Sequence, residues 1–271
     1  MESSIELKLH KTFDGYIGKI HIDQNTSKKF SHTTKENYSS KLDNIETIII
    51  LDRSGSMGNS VPRLVNIILP GVLNQLNYGN SIINLITFDS TVNQYYLDID
   101  GLNTMNIKCQ GCTTMSPTID LLVKSLTHSE KRNVRLLTLS DGELDDQQRT
   151  LEKASSVAEE LKKKFIINSQ AVRFFTSSNQ PDTRGLSGFL QFNNIGEAKL
   201  LDIPANQDDQ MIISTLVSLF SNDNLMDQVQ IVTNGKILKT NPWAEPNDSV
   251  YILDGENTLW FKEKPEELYL M

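Results

Sequence analysis

Short apolar runs alternate with stretches of helical spacing through the middle of the chain. Ile48-Ile49-Ile50-Leu51 reads as a buried central strand. Further buried strands are expected at residues 82–88, 134–139, 166–175 and 198–203, with 92–97 pairing beside 82–88 as an edge. Between them, Val61, Leu64, Val65, Ile68, Val72 and Leu76 follow a helical period. Ser60 and Pro62 suit the start of that helix, and Pro70-Gly71 is expected to kink it. Ile119, Leu122, Val123 and Leu126 predict a second helix. A third opens at Asp145-Asp146 and runs to about Lys163, and residues 185–192 form a short helix or loop. A closing helix begins at Asp208-Asp209 and uses Met211, Ile212, Leu216, Val217 and Phe220. Strands alternating with helices in this way specify an α/β class.

The two ends have a different pattern. Residues 5–10 and 16–22 alternate apolar and polar around Asp14-Gly15, the signature of a β-hairpin. Residues 229–238 read as a second hairpin around Asn234-Gly235, and 250–261 as a third around Asp254-Gly255. A lone hairpin is marginal in water, so strands from both termini are expected to pool into one small β-sandwich filled by Trp243, Tyr251, Trp260 and Phe261. The expected organisation is an N-terminal hairpin over 1–30, a polar linker over 31–41, the α/β domain over 42–222, and C-terminal strands over 223–271.

Composition narrows the function. The net charge of −8 disfavours general binding to nucleic acid or anionic membrane, both of which need a basic surface. Apolar content of 38% supports a real core, and no apolar run approaches a membrane span of roughly 20 residues. The first residues lack the basic and apolar regions of a signal peptide, so a cytoplasmic protein is expected. The cysteines, Cys109 and Cys112, form a C-x-x-C without the further ligands that zinc requires. They are read as reduced loop thiols, with a redox gate beside Thr113 as the alternative.

Candidate chemistry sits where the apolar runs stop. The central strand ends in Asp52-Arg53-Ser54-Gly55-Ser56-Met57. Three small oxygen side chains at alternate positions, at the carboxyl end of a strand, can converge on one point, and oxygen-only donors suit a hard cation. Gly111-Cys112-Thr113-Thr114 precedes a helix, and 136–143 is an apolar strand ending Ser140-Asp141-Gly142-Glu143. D-x-S-x-S, then G-x-T, then S-D-G, in that order, resembles a von Willebrand factor A domain with an intact metal-ion-dependent adhesion site. The resemblance covers about residues 42–222, including Thr87-Phe88-Asp89.

The resemblance implies a doubly wound, mostly parallel, Rossmann-like sheet with helices on both faces. It also implies an intracellular, non-enzymatic interaction module. Metal ligands carried over are Asp52, Ser54, Ser56, Thr113 and Asp141, with Thr114 a neighbour of the threonine because Cys112 replaces the family's second glycine. The implied ion is Mg²⁺, with Mn²⁺ or Ca²⁺ as alternatives, and a protein partner's Asp or Glu completes its coordination. Rim candidates for that partner are Arg53, Met57, Asn59, Met115, Ser116 and Glu143, the last also a candidate to orient a metal-bound water. One rival is a scaffold whose metal is structural and whose β-sandwich does the binding. A remoter one is a magnesium phosphatase-like enzyme, disfavoured because Ser54 stands where a second acid is needed.

Overall fold

A computed structural model describes residues 8–12, 16–22, 42, 45–175, 182–221, 229–241, 247–252, 255–261 and 268–270. The expected linker over 31–41 and Trp243 lie outside the described residues. The chain divides into two compact units, Tyr38–Asp223 and Met1–Asn37 with Asn224–Met271. The second unit begins with β1 (Lys8–Lys11) and β2 (Tyr16–Ile22), antiparallel from Lys8↔Lys19 to Lys11↔Tyr16, the hairpin expected there.

The Tyr38–Asp223 unit is a doubly wound α/β fold. Its strands are β3 (Ile45–Asp52), β4 (Ile83–Phe88), β5 (Val92–Leu97), β6 (Asn133–Ser140), β7 (Ile166–Phe175) and β8 (Leu200–Pro204). They lie in the order β5-β4-β3-β6-β7-β8. All neighbours are parallel except β5, which runs antiparallel to β4 at the edge. After β3 the chain first adds β4 on one side and later β6 on the other. The carboxyl ends of β3 and β6 therefore flank the point where the winding reverses, which is where open α/β sheets bind ligands.

Alternation along the strands builds two cores. Ile48, Ile50, Ile86, Phe88, Val134 and Leu136 pack with α3 (Ser116–His128), α4 (Gln147–Lys164) and α5 (Arg184–Leu190). Each fully buried aliphatic chain contributes about 1.5–3 kcal/mol relative to exposure. The opposite face carries α1 (residues 60–75) and α6 (Asp209–Ser221). Arg135 points there, buried, stacking on Phe220 at 5.1 Å and Tyr78 at 5.9 Å. It also donates to the Tyr78 hydroxyl, which bonds Thr47 Oγ1 at 2.8 Å.

Where the sequence led to a kink in α1, the chain forms a π-helical turn, Leu64–Ile68, between α-helical Ser60–Arg63 and Leu69–Gln75. Pro70 has no N–H and its ring would meet the carbonyl four residues back, so the turn before it widens. Gly71 serves packing: a Cβ there would lie 2.6 Å from Ile213 Cδ1 of α6. A helix not foreseen from the apolar pattern, α2 (Ile99–Thr104), is capped by the Asp98 carboxylate, which accepts from Gly101 N–H at 2.8 Å.

In the other unit, β9 (Val229–Asn241), β10 (Asn247–Ile252), β11 (Gly255–Phe261) and β12 (Leu268–Leu270) join β1 and β2 in one sheet. β2 pairs with β11, so the two termini share that sheet. Among the described residues, neither C-terminal pair of strands meets across the expected turn. β9 runs straight through Asn234-Gly235, which lies where its pairing with β10 jumps from Ile237↔Asn247 to Val232↔Ser249. The Asn-Gly pair thus serves an irregularity in the ladder, another setting that tolerates glycine. β10 and β11 lie on opposite edges of β9 and, among the described residues, do not pair with each other. Leu259 and Phe261 are buried. The side chains of Tyr251 and Trp260 lie outside what is described.

Candidate metal centre

The first loop grows directly out of β3. Asp52 is fully buried at the strand's end. Its Oδ1 accepts from the Ser54 backbone N–H at 2.8 Å and its Oδ2 from the Ser140 hydroxyl at 2.6 Å. The Ser54 and Ser56 hydroxyl oxygens lie 3.0 Å apart, Ser54 buried and Ser56 exposed, so the pair leads from the buried acid to solvent. Burial pushes the Asp52 carboxyl up to about 6. Hydrogen bonds from Ser140 and Ser54 pull against that shift, and the like charge of Asp141 adds to it. Among the described residues no cation contributes to that shift, and the candidate ligand side chains near Asp52 offer only oxygen. That donor chemistry fits a hard divalent ion.

The second loop is laced to the first. Arg53 N–H donates to Phe88 O at 2.8 Å, Gln110 N–H to Arg53 O at 3.1 Å, and Gly55 N–H to Gly111 O at 3.4 Å. Thr114 N–H donates to Asp89 O at 2.9 Å, and Thr113 is buried. Gly111 has φ +75°, and a Cβ on it would meet Ser90 Oγ at 2.8 Å. Among the described residues, Asn77 alone has a positive φ without being glycine, so Cys112 occupies its position without backbone strain. In the first loop the left-handed residue is Gly58, at φ +44°, rather than Gly55. Cys109 Sγ–H donates to Gly58 O at 2.9 Å, and burial, then the Asp52 charge, push its thiol up. Cys112 is exposed, and both thiols are free.

The third loop follows β6. Asp141 is half-buried and accepts from Glu143 N–H at 3.0 Å, while Gly142 N–H donates to Ser140 Oγ at 3.0 Å. Asp145 Oδ2 accepts from Thr113 N–H at 2.7 Å, and Asp145 N–H returns a bond to Thr113 O at 2.9 Å. Asp146 accepts from Met115 N–H at 2.8 Å and Ser116 N–H at 2.9 Å. Burial would raise the Asp146 carboxyl, but hydrogen bonds from Met115, Ser116 and Thr150 together outweigh it and hold the group below its ordinary range.

Asp52, Ser54 and Ser56 are therefore tied together directly, and Asp141 lies close enough to act on Asp52 by charge. The backbone of Thr113 is bonded to Asp145 of the third loop, and its own loop is tied to the first through Gln110 and Gly111. The rim candidates divide. Asn59 and Glu143 are exposed, whereas Met57, Met115 and Ser116 are buried beneath the loops and have no surface for a partner. Arg53 turns to Asp89 Oδ2 at 3.1 Å and Thr91 Oγ1 at 3.0 Å. Sequence reasoning left Ser140 without a role and took Asp145 and Asp146 only as helix openers. The signal for Ser140 was its place beside Asp141 at a strand end. Among the described residues no group of three or more His, Cys, Asp or Glu could hold a metal, so hydroxyls are needed beside Asp52 and Asp141.

No family model matches the chain, and no curated protein matches it. Solved structures with a related path include a von Willebrand factor type A protein from Catenulispora acidiphila (10% identity, TM-score 0.49, 97% of this chain, 66% of that one). A second is the ArnB paralog VWA2 from Sulfolobus acidocaldarius (14%, TM-score 0.43, 94% and 65%). A third is the manganese-loaded TRAP protein of Plasmodium vivax (14%, TM-score 0.44, 80% and 78%). The chain thus spans just under two thirds of the length of the first two. With identities this low and TM-scores under 0.5, these likenesses assign no activity.

Proposed function

We propose that the Tyr38–Asp223 unit is a divalent-cation-dependent protein-interaction module. Asp52, Ser54, Ser56, Thr113 and Asp141 would hold the ion, Mg²⁺ as the first choice for an all-oxygen set, with Mn²⁺ or Ca²⁺ as the alternatives. A bound Mg²⁺ supplies a double positive charge and a coordination position that a partner's Asp or Glu can take. The observation that carries this reading is Asp52, a fully buried acid with hydroxyl and amide donors and a like-charged neighbour.

The chain's own residues prepare that chemistry. Ser140 and the Ser54 amide fix both Asp52 oxygens, which sets their direction without a compensating charge. Arg53, the nearest base in sequence, is drawn off to Asp89 and so does not neutralise Asp52 in place of the ion. Asp52 and Asp141 together balance the ion, so an incoming carboxylate need not meet net negative charge at the metal. The exposed rim, with Ser56, Asn59 and Glu143, would add the partner-specific contacts.

Capture from cell extract tests this reading, using the wild-type chain in Mg²⁺, the wild-type chain in EDTA, and Asp52→Ala in Mg²⁺. The expected result is a bound protein present only in the first. Equal capture by all three, with the variant folded by circular dichroism, would move the binding surface away from the loops and favour the scaffold reading.

A further inference from the structure

We propose that Asp145 and Asp146 are positioning residues that set Thr113 for the ion from the third loop, without touching the ion themselves. The proposal rests on the metal-binding reading of the five oxygens above.

Helix α3 begins without a cap of its own. Met115 precedes it and offers no side-chain acceptor, although the first turn of any helix leaves N–H groups without intrahelical partners. Asp146 supplies the acceptor from across the site. Its two carboxylate oxygens separately take Met115 N–H and Ser116 N–H, and Oδ1 also takes the Thr150 hydroxyl at 3.2 Å. The carboxylate is thereby locked at both ends, to the start of α3 and to the first turn of α4. One residue earlier, Asp145 forms a two-way link with Thr113: carboxylate to N–H at 2.7 Å and N–H to carbonyl at 2.9 Å. Thr113 therefore has both backbone polar groups fixed by a single residue of the third loop. The path of its backbone, and with it the direction of the Cα–Cβ bond that carries the hydroxyl, follows from that loop.

The second loop contributes less of its own definition. It has the left-handed Gly111, and residues 105–115 carry no helix or strand. Its ties to the first loop run through Cys109, Gln110 and Gly111, and Thr114 bonds Asp89 at the end of β4, leaving the Thr113 amide to Asp145. Partners of this kind around metal ligands typically change affinity by about 10–100-fold when removed.

A double-mutant cycle tests the assignment. Mg²⁺ affinity is measured by calorimetry on the full chain, well below the unfolding transition, for wild type, Asp146→Asn, Thr113→Ala and the double variant. The expected result is a loss of about tenfold or more for Asp146→Asn alone and less than about twofold in the Thr113→Ala background. A residue that only stabilises the fold would lower the melting temperature and leave affinity in the folded protein unchanged, which would overturn the proposal. Losses that add across the cycle would overturn it too, because Asp146 would then act independently of Thr113. Should Asp146→Asn fail to fold, the same cycle with Asp145→Asn decides the matter by the same criteria. A wild-type chain that binds no Mg²⁺ would instead remove the metal reading itself.

Discussion

Asp52 is the residue on which the candidate centre turns, and its protonation has a measurable sign. Its carboxyl lies at about 6 in the fold against 3.8 when free. Below about 4 it is protonated in both states. From about 4 to about 6 the unfolded chain releases a proton that the folded chain retains, so metal-free stability falls as pH rises. Above that range roughly 3 kcal/mol has been lost from this group. Asp146 works in the opposite direction, because a depressed carboxyl loses its contribution as pH falls. Denaturation in EDTA should therefore compare wild type with Asp52→Asn across that range. The wild type should lose stability relative to the variant as pH rises; parallel curves would contradict the burial account. A second residue-scale prediction concerns Asp89, fully buried against Arg53. Asp89→Ala leaves a mostly buried guanidinium without its partner and should cost about 3 kcal/mol in urea denaturation. A loss near zero would mean that water reaches the pair.

At the scale of elements, the close packing of α1 on α6 at Gly71 yields a third prediction. Gly71→Val places atoms where Ile213 already sits, so it should destabilise by about 1–3 kcal/mol. Mg²⁺ affinity should be unchanged, since Gly71 lies outside the metal loops; a changed affinity would mean that the α1–α6 contact reaches the site. The helices and parallel strands were legible in the sequence because burial on two faces leaves an unambiguous pattern. β7 covers the expected 166–175 and α3 follows Ile119, Leu122 and Leu126. What was not legible had a nonlocal cause. Asn234-Gly235 carries a turn signal, yet β9 finds partners on both sides of it in β10, β11 and β12, and the dipeptide ends in a ladder irregularity. Helix α2 is too short to show a period and is specified by one capping acid.

At the scale of the whole molecule, winding order brings separate stretches of chain to one end of a sheet. The candidate oxygens were readable one loop at a time, as D-x-S-x-S, G-x-T and S-D-G. Their support was not, because Ser140 with Asp52, and Asp145 with Thr113, are pairings across the fold. The rim was misjudged for a related reason: Met57 and Met115 neighbour the loops in sequence, but their apolar side chains go under them. In the Met1–Asn37 and Asn224–Met271 unit, the β2–β11 pairing ties the two ends of the chain to each other. No helix among the described residues is long and apolar enough to cross a membrane. The most direct test of the central claim is calorimetric titration of Mg²⁺ into the whole chain at neutral pH, beside Asp52→Asn. Saturable binding by the wild type that the folded variant loses is the predicted result. Equal heats in both proteins, or no binding by a folded wild type, would contradict the assignment of Asp52 and its neighbouring hydroxyls as a metal centre.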